Sequence, residues 1–108
     1  MLIDWRLFVD CDSVDASRKL ARRHFEWVEV EPVELAASPY HKGGFVIDAR
    51  TSHAEQAWSE CVLLALTLAQ RTGHSWQLSG GAENEIDLWS SQSKVAGVTA
   101  IHARTSRQ

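Results

Sequence analysis

The chain has 108 residues, of which 44% are hydrophobic, and its 11 lysines and arginines stand against 14 aspartates and glutamates, giving a net charge of -3. This length supports one hydrophobic core, so we expect a single domain over residues 1–108. The hydrophobic content argues against disorder, and the near-balanced charge argues against nucleic-acid binding. No apolar run reaches the ~18 residues that a membrane span needs.

Alternating apolar residues predict a first strand over 5–11. Asp12 or Ser13 then offers a side-chain oxygen that can cap a helix, which we expect to reach about His24. Four cations in the later turns of this helix can lie on a solvated face, and positive charge near a helix C-terminus interacts favourably with the helix dipole. Its cations are Arg18, Lys19, Arg22 and Arg23.

A second strand is predicted over 27–35, where valines alternate with Glu29 and Glu31. Pro32 cannot donate to a sheet ladder, so we expect this strand to lie at an edge of the sheet or to be broken there.

A loop rich in turn formers is predicted over 38–44, and a third strand over 45–51. The sequence Ser52-His53-Ala54-Glu55 fits a capping box, in which the serine hydroxyl accepts from the glutamate amide and the glutamate carboxylate reaches back. We expect the core helix to start there and to continue to Arg71, with Gly73 as a left-handed stop.

The last third of the chain predicts three strands, over 75–78, 85–90 and 98–104, with a turn at 79–81. The whole pattern predicts an α+β domain, with an antiparallel sheet of five to six strands and two helices packed on one face. The first six elements match the split β-α-β plan, so we expect a ferredoxin-like βαββαβ variant with an extra C-terminal strand. This plan hosts many activities and indicates none by itself.

The two cysteines, Cys11 and Cys61, are fifty residues apart and lie in apolar surroundings. A secreted disulfide scaffold would have more cysteines, so we expect two buried free thiols. The chain also begins without the basic start of a signal peptide, and we expect a cytoplasmic protein.

The segment Asp10-Cys11-Asp12-Ser13-Val14 resembles the Asp-x-Asp-x-Thr/Val motif of haloacid dehalogenase-like phosphatases. The resemblance implies Asp10 as nucleophile, Asp12 as general acid/base and a bound Mg²⁺. The distant lysine, later acidic pair and parallel sheet of that family have no counterpart in this pattern. We therefore favour a structural interpretation, in which Asp12 caps the first helix and Asp10 faces solvent. A cation held by Asp10, Asp12 and Asp15 is the alternative.

The histidines lack metal-ligand spacing, and no nucleophilic serine motif or phosphate-binding glycine loop is present. We therefore predict no catalytic residue, no metal site and no cofactor, and favour a protein that is not an enzyme. The alternative is a small enzyme, or a ligand- or metal-binding domain, with its site at Asp10 and Asp12.

Carboxylates and tryptophans occur together in two segments, 26–34 and 83–89. On strands, Trp27 would share a face with Glu29 and Glu31, as Trp89 would with its acidic neighbours. Such charges can protect an edge strand from unwanted pairing. Exposed aromatic residues among charges are also typical of binding surfaces. The candidate partner-binding residues are Trp27, Glu29, Glu31, Glu85, Asp87 and Trp89.

These features predict a non-enzymatic protein-binding domain that uses an acidic, tryptophan-bearing sheet edge. Small inhibitors and toxin-neutralising immunity proteins bind their targets in a comparable way. Since complementary charge steers association, we expect a basic protein partner. A homodimer formed through the sheet face is an alternative assembly.

Overall fold

The computed structural model describes residues 1–79 and 83–107, so most of the turn predicted at 79–81 lies outside the described residues. The elements in chain order are β1 (Leu2–Val9), α1 (Val14–Val28), β2 (Glu34–Pro39), β3 (Phe45–Ser52), α2 (Trp58–Thr72), β4 (Gly73–His74), β5 (Gln77–Ser79), β6 (Glu85–Ser90), β7 (Gln92–Ser93) and β8 (Val98–Ser106). Neither helix in this part of the chain has the length and apolar character needed to cross a membrane.

Six strands form an antiparallel sheet in the order β2-β3-β1-β8-β6-β5, and β4 pairs with β7 in a small second sheet. This confirms the predicted α+β class with two helices and an antiparallel sheet of up to six strands. The last strand, β8, lies beside β1, and β6 and β5 lie outside β8. Strand β2 is the outermost strand on its side, but it begins at Glu34, after the Pro32 on which the predicted edge position depended.

The core lies between one face of the sheet and the two helices. Alternate residues of β1 are buried, among them Ile3, Trp5 and Leu7, as period-2 patterning requires. Phe25 of α1 and Leu68 of α2 belong to the same cluster of buried apolar side chains. The opposite face of the sheet carries no helix in the described part of the chain, and we call it the open face.

His24 is a fully buried polar residue within this core. Its ring packs edge-on against Trp5 and Phe25, with centroids 5.0 and 4.9 Å away. Neither ring nitrogen has a hydrogen-bond partner among the described residues. Burial disfavours the charged imidazolium and lowers the pKa of His24 to about 3.

Helix α1 continues four residues beyond its predicted end, which corrects the strand predicted over 27–35. Ala21, Phe25 and Val28 are buried at helical spacing, so the core extends the helix through the segment whose valines suggested a strand. Glu29 ends the helix in the left-handed conformation, with φ 66°. At the other end, Ser13 rather than Asp12 is the cap, and its hydroxyl accepts from the Ala16 amide at 3.1 Å.

The capping box predicted at 52–55 does not form. Ser52 is still paired with Leu2 in the sheet, and α2 begins at Trp58 after the N-cap residue Ala57, which has no side-chain cap. The intervening backbone is held by other bonds, since the amino group of Met1 donates to the carbonyls at 53 and 55. The predicted left-handed stop at residue 73 is also wrong, because that glycine has an extended φ of -166°.

The uncapped start of α2 gives a stability prediction. We expect Ala57→Ser to stabilise the protein by about 1 kcal/mol, because a serine hydroxyl at an N-cap accepts an otherwise unsatisfied helix amide. Chemical denaturation measures the change. Ala54→Ser is the matched control, since Ala54 is also exposed but precedes the helix. Equal effects of the two substitutions would contradict the capping explanation.

Candidate functional site

Charged residues on the open face are paired with one another across neighbouring strands. Towards β2 and β3, Arg6 Nε donates to Asp48 at 2.7 Å and Arg50 Nε donates to Asp4 at 2.7 Å. The Asp4 hydrogen bond raises the pKa of Arg50 above its ordinary value. All four side chains are at least one-third exposed, so these pairs contribute little to stability. They do set alternating charges along the face.

Towards β6, Asp87 is held between two side chains of β8. Its Oδ1 lies 2.5 Å from His102 Nε2 and its Oδ2 lies 3.8 Å from Arg104 Nε. The register explains the arrangement, because Asp87 is directly opposite Arg104, and His102 is opposite Trp89. The orientation of the Asp87 carboxylate is therefore fixed by its neighbours.

An aromatic cluster lies on the open face near the ends of β1, β2 and β6, and we define it as Phe8, Tyr40 and Trp89. The Phe8 ring centroid lies 5.2 Å from that of Tyr40 and 5.7 Å from that of Trp89. Trp89 is 39% exposed, and the cluster borders a shallow depression of about 460 Å³ that is also lined by Asp10 and Lys42. Trp89 is therefore exposed to solvent on this face, and Phe8 and Tyr40 are half-buried beside it and outside the core.

The loop over 40–44 brings the tyrosine of the cluster to the sheet. The Tyr40 amide donates to the Gly44 carbonyl at 3.0 Å, and the Gly43 amide donates back to the Tyr40 carbonyl at 3.0 Å. Both glycines have positive φ, 102° and 72°, as the predicted loop requires. Gly44 also lies against the backbone of Val9, where a side chain has no room.

The six predicted partner-binding residues divide into two groups on opposite sides of the sheet. Glu85, Asp87 and Trp89 lie on β6, with Asp87 and Trp89 on the open face next to β8. Trp27, Glu29 and Glu31 lie at the end of α1 and in the following loop, on the helix side. The proposed acidic strand carrying Glu29 and Glu31 does not exist, since helical spacing of the core residues places them elsewhere.

Two side chains at the end of α1 contact cations from other parts of the chain. Trp27 is 49% exposed, and Lys94 Nζ lies 5.5 Å from its ring centroid. Glu29 accepts from Arg71 at 3.5 Å.

The Asp10–Asp12 segment precedes α1, and both carboxylates are exposed. Because Ser13 is the N-cap, the interpretation in which Asp12 caps the helix is wrong. Cys11 donates to the Ser13 carbonyl at 3.6 Å and is half-buried, whereas Cys61 is buried, and both thiols are free. Within the described ranges, 1–79 and 83–107, no group of three or more His, Cys, Asp or Glu residues could hold a metal ion.

Phe8 and Tyr40 are not among the binding residues predicted from the sequence. A signal for Phe8 was present, because it is out of phase with Trp5 and Leu7 and must face away from the core if they face inward. No local pattern places Tyr40, since its position depends on the loop that folds back over the sheet.

Comparison with protein-family models, with curated proteins and with solved structures gives no match for this chain.

Proposed function

We propose that the protein is a non-enzymatic binding domain that engages a basic protein partner through the open face of its sheet. The observation that carries this proposal is the aromatic cluster of Phe8, Tyr40 and Trp89, which lies on the open face. A small domain gains little by exposing a large aromatic side chain to water, whereas aromatic anchors often dominate the free energy of protein binding.

The chemistry around the cluster favours a partner that presents arginine or lysine. The faces of aromatic rings attract cations, by about 0.5–2 kcal/mol for each contact. Asp10 lines the same depression, is exposed, and forms no ion pair within residues 1–79 and 83–107, so its carboxylate is available to a cation. Lys42 lies at the rim and limits the approach of a second positive charge from that side.

The charged residues around the aromatic cluster are paired with one another. They contribute more to the specificity of binding than to the attraction of a basic partner. Asp87, with His102 and Arg104 already beside it, has little free charge to offer. Its side chain is instead ordered before the partner arrives, which reduces the entropy lost on binding. We therefore assign the main role in this region to Trp89, with Glu85 and Asp87 as surrounding polar contacts.

The chain topology and the cellular location are two further proposals. We propose a ferredoxin-like plan, supported by the strand order β2-β3-β1-β8, in which the strand beside β1 follows α2 in the chain. The additional strands of the large sheet are then β5 and β6, which precede β8 in the chain instead of following it.

We also propose a cytoplasmic location, which agrees with two free thiols.

The experiment compares two exposed tryptophans on opposite sides of the molecule. Wild-type, Trp89→Ala and Trp27→Ala proteins are used as bait in cell lysate, and the captured proteins are identified and their affinities measured. We expect a basic partner whose dissociation constant rises at least about tenfold for Trp89→Ala, the loss typical of a buried aromatic anchor. Trp27→Ala should bind within about twofold of the wild type.

Several results would contradict the proposal. Equal capture by Trp89→Ala and wild-type bait would remove the aromatic cluster from the binding surface. Loss of binding in Trp27→Ala alone would move the site to the end of α1. Capture that nuclease treatment abolishes would show nucleic acid, not protein, as the ligand.

A further inference from the structure

The outward face of α1 carries a block of four cations that the domain itself does not neutralise. These side chains are all exposed, and none forms an ion pair within 4.0 Å in the described ranges, 1–79 and 83–107. The block consists of Arg18, Lys19, Arg22 and Arg23.

The helix dipole does not account for the block. Because α1 continues to Val28, the cations occupy its middle turns, and its last turn holds no basic residue. Arg18 and Arg22 are four residues apart, as are Lys19 and Arg23, so like charges adjoin along the helix surface and disfavour it. Asp15 and Glu26 lie three or four residues from these cations on the same helix, but neither carboxylate forms an ion pair with them within 4.0 Å among the described residues.

An acidic segment follows directly on the same element. Glu26, Glu29 and Glu31 are exposed at the end of α1 and in the loop beyond it, and of these only Glu29 has an ion-pair partner among the described residues, Arg71. From Arg18 onward, the charge along this surface thus changes from positive to negative. A surface with that pattern is complementary to a reversed copy of itself.

We propose that a second copy of the chain docks on α1 in antiparallel orientation, forming a two-fold symmetric dimer. With the symmetry axis near residues 24–25, Arg22 and Arg23 of one copy lie opposite Glu26 of the other. The same register sets Arg18 and Lys19 opposite the acidic loop that contains Glu31. Each pair occurs twice, as an isologous interface requires.

The mixed charge favours a second copy over a polyanion. An extended anion along the basic block would meet the three carboxylates at its end, whereas a reversed α1 meets opposite charge along the length of the overlap. Since α1 lies on the helix side of the sheet, the dimer leaves both open faces free. This inference stands independently of the proposed partner binding, although a dimer would give that binding two sites.

Sedimentation equilibrium tests the dimer. We expect a weak, reversible dimer at low salt that dissociates towards monomer in about 0.5 M NaCl, since exposed charge pairs are strongly screened. The variant Arg22→Glu with Arg23→Glu should raise the dissociation constant by about tenfold or more, because like charges then face each other. Adding Glu26→Arg to that variant should restore dimerisation.

A charge-matched control separates the interface from the effect of net charge. Lys42→Glu with Arg107→Glu changes the net charge by the same amount at exposed positions away from α1, and this variant should dimerise like the wild type. Circular dichroism confirms that each variant is folded. A wild type that is monomeric at all concentrations in low salt would overturn the proposal, as would failure of Glu26→Arg to restore the dimer in a folded variant.

Discussion

Acidification from about pH 7 to about pH 4 is expected to remove about 3 kcal/mol of folding free energy through His24 alone. The ring is fully buried without a hydrogen-bond partner among the described residues, and burial lowers its pKa to about 3. In the unfolded chain the imidazole takes up a proton below its ordinary pKa of 6.5, and in the folded protein it does not. Stability is therefore complete above pH 6.5 and falls as the pH drops towards 3.

The variant His24→Leu isolates this effect from the titration of the carboxylates. Leucine is similar in size to histidine and needs no hydrogen bond, so the variant's free energy of unfolding at about pH 7 should be within about 1 kcal/mol of the wild-type value. Between about pH 7 and about pH 4, the variant should lose about 3 kcal/mol less of this free energy than the wild type. Urea denaturation at several pH values measures both. If the free energy of unfolding falls equally with pH in the two proteins, His24 does not cause the loss of stability in acid.

Protonation of His53 also lowers the stability of the folded protein in acid. A proton titration distinguishes His53 from His24. Burial lowers the pKa of His53, although the nearby Glu55 carboxylate opposes the shift. Its ring is only partly buried and lies 2.7 Å from the Thr51 hydroxyl. In an NMR titration of the folded protein, the His24 ring signals should stay in the neutral form down to about pH 4.

The substitution Gly44→Ala is expected to destabilise the protein by about 3 kcal/mol or more. Two costs add at this position. An alanine at φ 72° is strained by about 1–2 kcal/mol, and its Cβ would collide with the carbonyl oxygen of Val9, which is backbone of a central strand and cannot move aside. Thermal or chemical denaturation measures the loss.

Gly43→Ala is the natural control for this prediction. Gly43 also has a positive φ, 102°, but an added Cβ there meets no atom within 4 Å. We expect a loss of only about 1–2 kcal/mol, from backbone strain alone. If the two variants are equally stable, Gly44 is not in close contact with β1, and the loop that carries Tyr40 is placed differently.

Strong local patterns made part of the fold predictable. The strand predicted over 85–90 is β6, because Ile86 and Leu88 alternate with polar residues and both are buried. The prediction over 27–35 failed because Val28 fits a strand and a helix equally well, and only packing next to Phe25 decides between them. The capping box failed for a similar reason, since pairing of Ser52 with β1 outweighs a local hydrogen bond.

Less of the candidate site could be predicted. The alternation correctly placed Trp89 opposite the buried residues of its strand, on a face where it is 39% exposed. That Phe8 contacts both Tyr40 and Trp89 depends on how β1, β8 and β6 are ordered in the sheet and on the course of the loop over 40–44. No local sequence pattern encodes these long-range neighbours.

Fluorine NMR of protein labelled with 5-fluorotryptophan tests the central claim most directly, because the five tryptophans are reporters at five places in the fold. Tryptophan-to-phenylalanine variants assign the signals. On addition of the captured basic partner, the signal of Trp89 should shift or broaden, while that of Trp27 on the helix side stays unchanged. A shift of the Trp27 signal with an unchanged Trp89 signal would contradict binding at the open face.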